Sequence, residues 1–377
     1  MRKNNIKFYM ALLILSALIF SLLTISVFGS KKESSISTSA RSATLYMPEA
    51  REFIYSKNSD DILPMASTTK IMTAIVAIEK TKLSDIVTID ESAVGTEGSS
   101  AYLKYGDVLT MEELLYALLL QSANDAAVAI AYYVGGDLQG FTEMMNDKAE
   151  SIGLEHTHFT NPHGLHDDDH YTTARDLAIL TAKALENETF RNIVSTYKKT
   201  FSSEDRIRTY VNHNKLLNTY DGCIGVKTGF TKKSGRCLVS AAKRDGLEFI
   251  SVTLDAPDDW NDHKEMLNFG FSSYEKIALS ERFDHIYSIP VIGGEKNNTT
   301  VLNFEEANII LPRADYNIDE QVKLIRYCFA PIKRGDILGE VIYSIDGQKI
   351  ASVSLVASED INKCNNNIFD KILSIFK

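Results

Sequence analysis

The sequence predicts an α+β fold, in which one antiparallel sheet packed with helices is followed by a small all-β domain. Three observations carry this. Apolar runs of helical length lie between residues 70 and 135, and three strand-like runs separated by turns occupy 221–256. Beyond about residue 283 the texture changes to short alternating runs with few helical stretches. A chain of 377 residues, 44% hydrophobic and 24% charged, is long enough to bury one large core and a second, smaller one.

At the N-terminus, Arg2, Lys3 and Lys7 precede a run from Phe8 to Phe28 that carries no charge. This is the pattern of an export segment. A signal peptide has an apolar run of about 7–15 residues and a spanning helix needs about 20. Removal near Gly29 or Ser30 and retention as an anchor therefore both stand for residues 1–30, and in both cases the remainder lies outside the cytoplasm. Residues 31–41, KKESSISTSAR, are polar and Ser-rich and read as a linker.

ATLYM and REFIYSK form an expected hairpin, followed by a helix that opens near Ser67 and continues as KIMTAIVAIEK. That helix is apolar nearly all round and is expected to be buried. Thr110 with Glu113 fits a capping box that opens TMEELLYALLLQ. The pattern breaks at Ser122-Ala123-Asn124 and resumes as DAAVAIAYYV, so a short loop between two helices is expected there. CIGVKTGFT, RCLVSAAKR and LEFISVTLDA, separated by KKSG and Asp245-Gly246 turns, make an antiparallel meander. HIYSIPVI, NIILPR, QVKLIRYCFA, EVIYSI and KIASVSLVA supply the β-rich domain of residues 283–359. Over 362–377, Phe369, Ile372, Leu373 and Phe376 recur at i, i+3, i+4 and i+7, a short amphipathic helix. Its apolar face either docks on the β domain or lies on a membrane surface, and Lys371 and Lys377 favour the membrane.

The net charge of -10 excludes nucleic acid as a default partner, since phosphate binding needs a concentrated basic surface. Cys223, Cys237, Cys328 and Cys364 form no CxxC or Cys/His zinc pattern, so no structural metal and no cofactor are expected. Cys223 and Cys237 flank a strand–turn–strand, where a disulfide across neighbouring strands and two separate thiols are both open. His156, His158, His163, His166 and His170 crowd one segment beside Asp167, Asp168 and Asp169. Zinc takes such ligands, but the spacing is neither HExxH nor a regular three-His scaffold, and a polar surface loop is the expectation.

Chemistry points to three short motifs. Ser67 and Lys70 in STTK lie three apart, on one face of a helix. A serine hydroxyl needs a neighbour to take its proton, and lysine can do so only when burial or a second cation lowers its pKa. Ser67 at a helix start also places developing negative charge at the positive end of the dipole. Ser122-Ala123-Asn124 offers a hydroxyl and an amide at a helix break. Lys227-Thr228-Gly229 sits in a strand, where glycine lets a substrate backbone approach. Each motif alone is weak. In this order, about 50 and about 100 residues apart, they make the S-x-x-K, S-x-N and K-T-G set of the penicillin-recognising serine enzymes.

The sequence resembles the low-molecular-mass penicillin-binding proteins that act as D-Ala-D-Ala carboxypeptidases. LPMASTTKIMTA, LLLQSANDAAVAIA, THFTNPHGL, HYTTARDLA and GVKTGFT look like family segments, and the likeness spans about residues 41–275. CFAPIKRGDILGEVIYSIDGQKI resembles the family's following β-rich domain, and the tail its membrane anchor. The resemblance implies a β-lactamase/transpeptidase-like catalytic domain acting at the outer face of the cytoplasmic membrane or in the cell wall. Its substrate is the peptidoglycan stem peptide ending in D-Ala-D-Ala, and β-lactams are covalent inhibitors. It also implies roles: Ser67 the nucleophile, Lys70 its base, and Ser122 the proton relay to the leaving D-Ala. Asn124 holds the substrate amide, and Lys227 and Thr228 bind the terminal carboxylate, with Lys227 also keeping Lys70 neutral. Gly229 gives close approach, and the backbone N–H groups of Ser67 and Phe230 form the oxyanion hole. Some members carry histidine after K-T-G where this chain has Phe230, which leaves a backbone donor in place. The alternatives are a serine β-lactamase, set back by the absence of an ExxLN-type segment after residue 150, and a non-catalytic wall-binding protein, set back by the intact Ser67, Lys70, Ser122 and Lys227.

Overall fold

The computed structural model describes residues 36–202 and 206–364. The export segment and the amphipathic residues 365–377 lie outside the described residues. Contacts divide the chain into two units, the second of which begins at Thr38 and holds every element named here.

Its first strands are β1 (Ser42–Met47) and β2 (Glu52–Lys57), paired antiparallel as the hairpin pattern requires. A short 3-10 turn, Ala66–Thr69, leads into α1 (Lys70–Lys80), whose first eight residues are all buried. The ribbon of β3 (Ile86–Thr88) and β4 (Val108–Thr110) precedes α2 (Met111–Leu120) and α3 (Asn124–Gly135). Thr110 Oγ1 caps α2 by accepting the Glu113 N–H at 3.1 Å. The capping box is only half made, because the Glu113 carboxylate accepts from Arg206 and from the Tyr210 hydroxyl instead of turning back to the cap.

Next come α4 (Leu138–Ser151), α5 (Ala174–Leu185), α6 (Glu188–Ser195), the ribbon β5 (Lys198–Ser202) with β6 (Ile207–Val211), and the short α7 (Leu216–Thr219). The meander follows as β7 (Cys223–Thr231), β8 (Gly235–Arg244) and β9 (Leu247–Leu254), closed by α8 (Asp259–Ser273). The five-stranded sheet has the order β2-β1-β9-β8-β7, so the first hairpin docks on the last strand of the meander. Strand β9 is buried along its whole length, as a central strand covered on both faces must be. One continuous apolar core joins α1, α2, α3 and α5 to this sheet.

The remaining strands are β10 (Tyr274–Ser280), β11 (Ile286–Ile292), β12 (Asn298–Leu302), β13 (Ala307–Pro312), β14 (Ile318–Leu324), β15 (Cys328–Phe329), β16 (Ile337–Ile345) and β17 (Gln348–Ala357). Six of them form a second sheet in the order β14-β16-β17-β12-β11-β15, with a core of its own around Ile289, Val301, Val341 and Leu355. Among the described residues no helix is long and apolar enough to cross a membrane.

Several expectations change. Residues 31–41 are not linker throughout: Thr38 and Ala40 are buried, and Ser39 donates its N–H and hydroxyl to the Asp262 carboxylate of α8 at 2.8 and 2.7 Å. At the other end, Lys363 bridges Gly294 and the Cys364 N–H donates to the Gly293 carbonyl, so 362–364 extend the sheet edge and are not helical. Cys223 lies opposite Ala242 and Cys237 opposite Gly229, which puts the two thiols at opposite ends of the β7–β8 pair, and they are not bonded.

One buried group ties the fold to pH. His263 on α8 is fully buried, its Nε2 2.9 Å from Thr253 Oγ1, and burial pushes its pKa down to about 3. Below pH 6.5 the unfolded chain takes up a proton that the folded chain refuses, so stability falls as pH drops from 6.5 toward 3, by about 1.4 kcal/mol per unit. His263→Leu is expected to shrink the loss of stability between pH 7 and pH 5 by about 2 kcal/mol, read by urea unfolding at the two pH values. An unchanged difference would show that His263 is not the group responsible.

Candidate active site

Ser67 stands on the Ala66–Thr69 turn, directly before the first residue of α1, which is Lys70. Ala66 holds φ 47° and Ser122 holds φ 60°, so two residues without glycine's freedom adopt the left-handed region beside the nucleophile. The loop that carries Ser122 separates α2 from α3, as the break in the apolar pattern requires.

Lys70 is fully buried. Its Nζ lies 3.0 Å from Ser67 Oγ, 2.7 Å from Asn124 Oδ1 and 2.6 Å from the His163 carbonyl oxygen. Burial is the leading cause of a pKa far below the ordinary lysine value. The Lys227 charge adds to it and Asp125 opposes it. A neutral amine has two N–H donors and one lone pair. The two carbonyl-type oxygens accept both donors, and the lone pair is left for the Ser67 hydroxyl proton.

The segment expected to be a polar surface loop is in large part the floor of this site. His163 and His170 are mostly buried, with pKa values pushed down to about 3 and about 4, chiefly by burial. The Thr160 N–H donates to His170 Nδ1 at 3.1 Å, which leaves the ring proton on Nε2, 2.7 Å from Thr69 Oγ1. Thr69 in turn donates to the Ala66 carbonyl. That chain of hydrogen bonds pins the turn bearing Ser67. Asn161 Oδ1 accepts from the Gly164 N–H at 2.7 Å, and Thr73 donates to the Pro162 carbonyl at 2.6 Å, which together aim the His163 carbonyl at Lys70.

Two residues expected to touch substrate are buried and are not among the residues that line the cleft. Asn124 is buried: its Oδ1 accepts from Lys70 and its Nδ2 donates to the Glu97 carbonyl. Each end of the amide thus has a partner within the protein, and a β-carbon on Gly98 would stand 2.7 Å from that Nδ2. Lys227 is likewise buried, with Nζ donating to the Thr228 carbonyl at 2.9 Å and a pKa pushed down to about 7 by burial.

Ser67, Ser99, Ser122, Thr228, Gly229 and Phe230 do line one cleft of about 330 Å³. Strand β7 passes so close to the Ser67 turn that a β-carbon on Gly229 would stand 3.0 Å from the Ser67 nitrogen, and this close approach favours the glycine of K-T-G. The cleft has a further wall that the motifs do not include: His213, Lys215, Arg236, Asp259 and Trp260. Arg236 pairs with Phe230 across the β7–β8 turn and donates to the buried Asp259 carboxylate at 2.8 Å. Its guanidinium also lies 5.8 Å from the Trp260 ring. The signal for Arg236 was present, because counting back from the KKSG turn in an antiparallel register places it beside Phe230. Asp259 and Trp260 arrive from α8 through tertiary packing alone. Among the described residues no group of three or more His, Cys, Asp or Glu side chains is arranged to hold a metal ion.

A family model described as D-alanyl-D-alanine carboxypeptidase matches residues 29–258, and one described as the C-terminal domain of penicillin-binding protein 5 matches 274–363. The chain is 33% identical over 344 residues to the D-alanyl-D-alanine carboxypeptidase DacF of Bacillus subtilis, covering 88% of each chain. It is 31% identical over 328 residues to DacC of Escherichia coli, covering 81% of this chain and 80% of the relative. Among solved structures, penicillin-binding protein 5 of Haemophilus influenzae superposes with a TM-score of 0.65 at 29% identity, over 88% of this chain and 99% of that one. The Streptomyces K15 DD-transpeptidase superposes with a TM-score of 0.59 at 34% identity, over 62% of this chain and 98% of that one. With the α+β catalytic fold, the following all-β region and the Ser67–Lys70 geometry already established, these matches make the chain a member of the D-alanyl-D-alanine carboxypeptidase family.

Proposed function

We propose that this chain removes the terminal D-Ala from peptidoglycan stem peptides ending in D-Ala-D-Ala, through an acyl-enzyme on Ser67, and that β-lactams acylate the same hydroxyl. The observation that carries the reading is Lys70: buried, clamped by two oxygens, and directed at Ser67 Oγ from 3.0 Å. As Ser67 attacks the penultimate carbonyl, Lys70 takes its proton. Ser122, lining the cleft, relays a proton to the departing amine. The Ser67 and Phe230 N–H groups receive the oxyanion, a contribution of about 3–4 kcal/mol per donor in serine hydrolases. Water then attacks the ester and frees the shortened peptide.

Asn124 in this reading positions Lys70 and does not hold the substrate. Lys227 acts through its field, second to burial in lowering the Lys70 pKa. The terminal carboxylate is assigned to Thr228 and Arg236, the latter a guanidinium on the cleft wall whose planar fork suits a carboxylate. A charged hydrogen bond of about 1.5–3 kcal/mol predicts that Arg236→Gln raises KM about 10–100-fold with little change in kcat, and that Arg236→Lys restores part of it. A kcat loss without a KM change would remove Arg236 from this role.

The decisive measurement is release of D-Ala from a pentapeptide ending in D-Ala-D-Ala, blocked by penicillin. Absence of release by folded protein, or release persisting in Ser67→Ala, would overturn the reading. Slow turnover of the penicilloyl ester distinguishes it from a β-lactamase.

The proposed organisation is a signal peptide or anchor over 1–30, the catalytic domain to about residue 275, the β-rich domain over 283–359, and a membrane-associating tail at the outer face of the cytoplasmic membrane. The uncharged run from Phe8 to Phe28 and the apolar spacing of Phe369, Ile372, Leu373 and Phe376 support the two terminal assignments.

A further inference from the structure

The edge of the second sheet presents apolar side chains to solvent in a regular way. From Tyr327 to Ala330 the chain alternates, with Tyr327 and Phe329 52% and 65% exposed and Cys328 and Ala330 buried, and Ile325 just before it is 43% exposed. Tyr327 and Phe329 stack edge to face, with ring centroids 5.7 Å apart. On the neighbouring strand β11, Ile292 is 47% exposed and is the register partner of Phe329, so the two side chains share one face of the sheet. Edge positions of this kind are ordinarily charged or covered, and a cluster of exposed apolar side chains there marks a contact surface.

Its position says what it contacts. The Cys364 N–H donates to the Gly293 carbonyl at 2.8 Å, so the described chain ends one residue from Ile292. Everything beyond that point, residues 365–377, carries Phe369, Ile372, Leu373 and Phe376 with Lys371 and Lys377. The strip is also interleaved with exposed Arg326 and bordered by exposed Lys363, in a chain whose net charge is -10. Aromatic rings, aliphatic groups and basic side chains gathered at one edge are what a lipid headgroup boundary accepts, with rings at the interface and cations toward anionic lipid.

We propose that Ile292, Ile325, Tyr327 and Phe329 form a membrane-contacting surface on the β-rich domain, meeting lipid by its own side chains beside Cys364, the last described residue. This goes beyond the tail's own anchoring. Two contacts on adjacent chain would fix the orientation of the β-rich domain on the bilayer, where one would leave it free to swivel.

The test uses the full chain in vesicles of phosphatidylcholine with phosphatidylglycerol, brominated on the acyl chains, and reads fluorescence of the indole introduced by Phe329→Trp. Trp260, in the cleft, is the internal reference measured on the unsubstituted chain. Emission from the introduced indole is expected to fall about twofold in brominated vesicles relative to unbrominated ones, with Trp260 unchanged. A chain ending at Cys364 separates this inference from the tail reading: quenching that persists there supports a surface that meets lipid by itself, and quenching lost with the tail overturns it. An indole shielded from bromine in the full chain overturns it as well, whether the tail or a second copy of the chain covers the strip. Tyr327→Ser with Phe329→Ser is expected to leave D-Ala release from a soluble peptide unchanged.

Discussion

Lys70→Met is expected to lower acylation of Ser67 about 10³-fold, within the range for loss of a general base, while the protein remains folded. Methionine fills the space of the lysine stem, and removing the amine removes the group whose burial opposes its own charge. The offsetting cost is that Asn124 Oδ1 and the His163 carbonyl lose a donor, about 1–3 kcal/mol each. Lys70→Arg is the sharper variant. It keeps a cation but cannot release a proton, so it is expected to be as slow as the methionine variant. Formation of the penicilloyl adduct, followed by mass over time, reads both. Substantial acylation by Lys70→Arg would mean that Lys70 supplies charge and not basicity.

Gly164→Ala is expected to disable the site from outside the cleft. Gly164 sits at φ +89°, and a β-carbon there would stand 1.9 Å from the Ala66 carbonyl oxygen and 2.8 Å from Thr69 Oγ1. Neither a backbone oxygen nor the hydrogen-bonded Thr69 can yield without moving the turn that bears Ser67. Left-handed strain and overpacking together amount to about 2–5 kcal/mol, and acylation should fall further than stability because the Lys70–Ser67 distance is disturbed. Gly153→Ala is the control: Gly153 has φ +76° with nothing within 4 Å, so only the conformational cost of about 1–2 kcal/mol applies. Urea unfolding and adduct formation on the two variants check the comparison. Equal loss of activity in both would separate the effect from the contact with Ala66.

Much of this fold and site is legible in the sequence itself. The meander, the first hairpin and the paired helices follow from period and turn chemistry, and the Ser67, Lys70 and Ser122 placements follow from helix starts and breaks. What the sequence hid is what depends on burial at long range. Asn124 reads as a free amide until the Glu97 carbonyl and Lys70 are seen to occupy both its ends. Lys227, expected to bind the terminal carboxylate, is buried, and burial alone depresses its pKa. The histidine segment reads as a polar loop because composition cannot show that His170 supports Thr69 across 101 residues of chain. Asp259 and Trp260 carry no motif, and reach the cleft because α8 packs against the meander.

The separation of Cys223 from Cys237 has a practical side. The hairpin that brings Lys227, Thr228 and Gly229 to the nucleophile is held by its strand ladder and by the packing of β7 on the Ser67 turn, with no covalent staple between those two thiols. That hairpin should therefore reach its native register in a reducing cytoplasm as well as in an oxidising compartment. A laboratory host need not export this enzyme to obtain an intact catalytic cleft.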